Sequence, residues 1–142
     1  MAKVTTTEIT DLGFIPEMFK KDETSFPAFL TGIINEQSLL LQARIGAANY
    51  AVSASPMKDY AKLAEKCLVA AELCQRRINI LLANVTGAGQ ELDTSTERSQ
   101  MKIYRQQGDE LIQKILAGGS MDSGSDMAFS TLVSDHFRDG HV

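Results

Sequence analysis

Tryptophan is absent from this chain, and aromatic residues of every kind make up only 6% of it. Within a 44% hydrophobic composition, that leaves leucine, isoleucine and alanine to fill the core. Histidine is nearly missing: His136 and His141 are the two in the chain, both close to its C-terminal end. Together with Asp135 and Asp139 they could in principle ligate a metal. A glycine-containing terminal segment supplies no rigid surround to hold such ligands, so a solvated segment is the expectation and no metal or cofactor is assigned. Cysteine is scarce as well. Cys67 and Cys74 lie seven positions apart in what reads as one helix, which separates them by about 10 Å along its axis, too far for a disulfide. Reduced thiols are expected, in keeping with synthesis in a cytoplasm. Cys67 has no histidine with an evident route to it, and reads as core packing rather than as a nucleophile.

Long apolar runs are lacking too. No stretch approaches the roughly 18 residues of a membrane span, and Met1 to Glu8 offers one basic residue with no apolar segment behind it, so neither a membrane span nor signal-directed export is expected. Strong net charge is also missing, at −4 overall. Residues 119 to 142 carry −3 of it, through Asp122, Asp126, Asp135 and Asp139 against Arg138. The fourteen acids and thirteen bases of residues 1 to 118 leave −1, a near-neutral surface without a global field to attract nucleic acid.

The usual marks of chemistry are lacking in turn. Gly87-Ala88-Gly89 does not fit a phosphate-binding loop and follows no strand. Adjacent carboxylates such as Asp109 and Glu110 point to different helix faces, and the Glu-x-x-His ligand pair of di-iron bundles does not occur. The expectation is therefore a non-enzyme.

What is present is helical periodicity. Thr5 stands three residues before Glu8 as a capping box ahead of Ile9 and Leu12, and Gly13 and Pro16 break that first short helix. Phe26, Phe29, Leu30, Ile33, Ile34, Leu40, Leu41 and Ile45 follow helical spacing around Gln37, with Pro27 in a first turn, and predict a helix over about residues 25 to 45. Gly46 and the run up to Ser55-Pro56 read as a corner or a short extra turn. Tyr60, Leu63, Ala64, Cys67, Ala71, Cys74, Ile78, Leu81 and Leu82 form one stripe, which predicts a long helix over 57 to 83. Thr94, three residues before Glu97, opens a third, with Met101, Tyr104, Leu111, Ile112 and Ile115 on its stripe. Gly108 within it either permits close helix contact or weakens the helix locally, and Ala117-Gly118-Gly119 ends it.

The fold class expected is all-α, a small bundle of three main helices plus a short N-terminal helix, with an extended C-terminal tail. Residues 1–117 form the helical domain, 118–126 a flexible linker rich in glycine, serine and aspartate, and 127–142 a docking tail. The tail partly alternates apolar and polar residues and is too short to bury its own face, so Met127, Phe129, Thr131, Leu132, Val133 and Phe137 are its candidate partner-binding residues. A strand added to a neighbour's sheet edge would put Phe129, Thr131 and Val133 on one face; a short helix and plain disorder stay open. Val85, Gly87 and Gly89 mark the loop after the long helix as a second contact, and the arginine pair Arg76-Arg77 suits salt bridges within or between subunits.

Several segments, taken in order, resemble the head-to-tail adaptor, or connector, proteins of tailed bacteriophages. They are Thr7 to Leu12 as Thr-x-x-x-Asp-Leu, Ala43-Arg44-Ile45-Gly46, Tyr50, the run Ala64-Glu65-Lys66-Cys67-Leu68-Val69-Ala70-Ala71-Glu72-Leu73, and Arg76-Arg77-Ile78. The likeness covers most of residues 5 to 117 and rests on joint order, since alanine-rich helices containing Ala-Glu-Leu are common. It implies a structural protein: a helical subunit of a homo-oligomeric ring, a dodecamer, that binds the portal protein and extends its channel. Such a ring gives tail-completion or neck proteins a docking surface, and DNA passes through it without sequence-specific binding. The implied location is the virion neck. Two competitors are a small helical interaction module, such as a regulatory or chaperone-like dimer, and an enzyme whose site draws on Tyr60, Tyr104, Arg76 or Arg77 between subunits.

Overall fold

The computed structural model describes residues 2–83 and 93–118. Helix α1, Thr6–Thr10, opens with the expected capping box: the Thr5 hydroxyl accepts from the Glu8 amide at 3.2 Å, and the Glu8 carboxylate accepts from the Thr5 amide at 3.3 Å. Gly13 then takes a left-handed turn at φ +105°, which an L side chain resists, and Pro16–Phe19 follow as a 3₁₀ turn.

Helix α2 runs Phe26–Ile45 with Pro27 in its first turn, where the missing amide is not needed, and it stops at Gly46, φ +88°. The corner is a five-residue helix α3, Ala47–Ala51, followed by a cis Ser55–Pro56 bond. Helix α4, Met57–Ala83, and helix α5, Ser95–Leu116, complete an all-helical bundle, with no strand among the described residues.

Helix α5 starts where expected, with Thr94 as its N-cap residue, but no side-chain cap forms there. The Thr94 hydroxyl accepts from Arg98 Nε at 2.7 Å, and Asp93 Oδ1 takes the Ser95 amide at 2.9 Å. A carboxylate one residue earlier supplies the stronger acceptor for a positive helix end.

The core is also less aliphatic than the composition suggests. At one end Phe14, Phe19, Phe26 and Phe29 pack together, with ring centroids of Phe19 lying 6.2, 6.0 and 5.3 Å from the other three. They are joined there by Ile9, Leu30, Ile33, Ile34, Val69 and Leu73. The other end is the expected aliphatic and alanine packing: Leu41, Ile45, Ala61, Ala64, Ile112 and Ile115 around Tyr50.

Helix α4 is the central element. It packs most extensively on α5 and also meets α1, the 3₁₀ turn, α2 and α3. Being covered on more than one side, it buries Ala61, Glu65, Val69 and Leu73 as well as Ala64, Ala71, Cys74 and Ile78. The single stripe read from sequence therefore mistook two positions: Leu63 and Leu82 are 48% and 46% exposed. Leu40 in α2 is half exposed as well, because the buried row passes through Ile33, Gln37, Ser38 and Leu41. Gly108 resolves to close packing. A Cβ there would lie 3.3 Å from Cys67 Cβ, so glycine lets α5 approach α4 at that point.

Candidate functional site

The most concentrated polar chemistry in the described residues is centred on Glu65, a carboxylate with no exposed surface, in the middle of α4. Its Oε2 accepts two backbone amides from the N-terminal segment, Lys3 at 2.7 Å and Val4 at 2.8 Å. Its Oε1 accepts from the Tyr50 hydroxyl, which lies 2.9 Å from Ser38 Oγ on α2. Lys3 Nζ sits 4.7 Å from the centre of the Tyr50 ring. An unpaired buried carboxylate would be strongly unfavourable, and here the three donors satisfy it. The Tyr50 phenol is pushed up to about 12 by burial, and the hydrogen bond to Glu65 acts in the same direction.

The arrangement is a latch. It fastens the first residues of the chain and the α3 corner onto the central helix, and leaves the carboxylate no free lone pair aimed at solvent for proton transfer. Sequence reading missed Glu65 as a buried group, treating α4 as one stripe. The available pattern was its place four residues after Ala61 and four before Val69, on a second face of small and apolar residues.

The two arginines singled out from sequence point to different neighbours. Arg76 lies 3.5 Å from Glu72 and 3.8 Å from Glu36, with its guanidinium 5.9 Å from the Phe29 ring centre. Arg77 Nη1 donates to the Met18 carbonyl at 2.9 Å, holding the 3₁₀ turn against α4. Both make contacts within the chain.

Tyr104 and Arg77 do share a cleft of about 300 Å³, walled by Phe14 and Met18 on one side and Glu97, Gln100 and Cys74 on the other. Burial pushes the Tyr104 phenol up and the Cys74 thiol up to about 11, so neither is tuned to exchange protons near neutrality. Tyr60 is elsewhere, its ring centre 4.6 Å from Lys114 Nζ. The residues suggested for an inter-subunit enzyme site are thus not gathered in one place within the subunit. Cys67 is likewise raised to about 11 by burial, the opposite of an activated nucleophile.

The candidate tail residues Met127, Phe129, Thr131, Leu132, Val133 and Phe137, and the loop residues Val85, Gly87 and Gly89, lie outside the described residues. Among the described residues there is no group of three or more histidine, cysteine or acidic side chains able to hold a metal ion, and no helix long and apolar enough to cross a membrane. Compared with models of protein families, with curated proteins and with solved structures, the chain finds no match.

Proposed function

We propose that the chain is a structural, non-catalytic subunit of the head-to-tail joint of a tailed bacteriophage. It would form a ring of twelve copies in the virion neck that binds the portal protein, extends its DNA channel and receives tail-completion or neck proteins. The observation that carries this reading is the joint order of the matched segments from Thr7 to Ile78 in an all-helical subunit. Two features are in keeping with it. The deepest polar group, Glu65, is consumed in fastening the subunit's own N-terminal segment. The near-neutral charge of residues 1 to 118 suits a conduit, because a wall dense in lysine and arginine would hold DNA through counterion release.

In this reading the segment around Phe129 to Phe137 docks on a neighbouring or portal subunit. Light scattering of the chain alone and mixed with the portal protein encoded near it tests the proposal. A small free species that becomes ring-sized on the portal is the expected result; failure to associate under any condition overturns it. A chain ending at Leu116 that still binds the portal with unchanged affinity would remove the tail from the dock.

A further inference from the structure

We draw no further inference here: the strongest candidate, the cleft of about 300 Å³ between the 3₁₀ turn and the first turns of α5, carries nothing, because its lining sets Arg77 and Glu97, of opposite charge, beside Leu12, Phe14 and Met18 without fixing one ligand chemistry, and nothing in the structure shows what fills it.

Discussion

Replacing Glu65 by alanine and by glutamine should have very different consequences, and the hydrogen-bond directions around the carboxylate say why. Alanine leaves the Lys3 and Val4 amides and the Tyr50 hydroxyl without their acceptor in a site that has no exposure. A buried donor stripped of its partner costs about 1–3 kcal/mol. Ser38 Oγ, 2.9 Å from Tyr50, can still take the phenol proton, and release of the N-terminal segment lets water reach the amides. The expected loss is therefore about 3–5 kcal/mol, much of the 5–15 kcal/mol that typically holds a domain together.

Glutamine can satisfy the same site by turning its carbonyl oxygen to the Lys3 and Val4 amides and its NH₂ to Tyr50. The phenol then accepts from the amide and donates to Ser38, a reversal its rotatable O–H allows. Neutral hydrogen bonds replace charge-assisted ones, but the burial cost of a charge also disappears, so Glu65→Gln should stay within about 1–2 kcal/mol of the parent. Urea unfolding followed by far-ultraviolet circular dichroism measures both, and amide exchange at Lys3 and Val4 reports the latch directly: protection is lost in Glu65→Ala and kept in Glu65→Gln. Equal losses in the two variants, or an alanine variant within about 1 kcal/mol of the parent, would refute this account.

Alkali should destabilise the fold in two stages. The Cys67 and Cys74 thiols, raised from 9.0 to about 11, and the Tyr50 phenol, raised from 10.0 to about 12, bind their protons more tightly folded than unfolded. Their contribution is complete below the unfolded values and is lost as pH rises through the folded ones, from about 9 for the thiols and 10 for the phenol. Unfolding midpoints measured from pH 8 to 12 should fall accordingly, and Tyr50→Phe should flatten the upper part of the fall. Gly108→Val should lower stability by about 1–3 kcal/mol on thermal melting, because even a Cβ is tight against Cys67 at 3.3 Å and two further methyls must push α5 away. Arg77→Ala should cost about 1 kcal/mol and raise proteolytic cleavage around Met18, whose carbonyl loses its guanidinium partner; unchanged cleavage would count against that tie.

The long helices were legible in the sequence because their apolar periods are long and their stops are chemical: Pro27 at the start of α2, Gly46 at its end, Gly118 after α5. The Thr5–Glu8 box was legible for the same local reason. Leu40, Leu63 and Leu82 were misjudged because a period gives a face but not how many faces a helix must bury, and α4 is covered on more than one. Glu65 escaped notice because nothing nearby in sequence pairs with it. Its donors come from residues 3, 4 and 50, so only tertiary structure reveals the latch. The aromatic cluster, too, is a long-range product, joining Phe14 and Phe19 to a helix that begins at residue 26.

That latch also orders events in time. Helices α4 and α5 are neighbours along the chain and can zip together early, but the bonds from Lys3 and Val4 to Glu65 close loops of more than sixty residues. Loop closure of that length slows contact formation, while hairpin-like helix pairing is quick. Lys3 and Val4 are thus among the last residues to find their seat, and a newborn chain must carry them unfastened until Glu65, some sixty residues later, has been made.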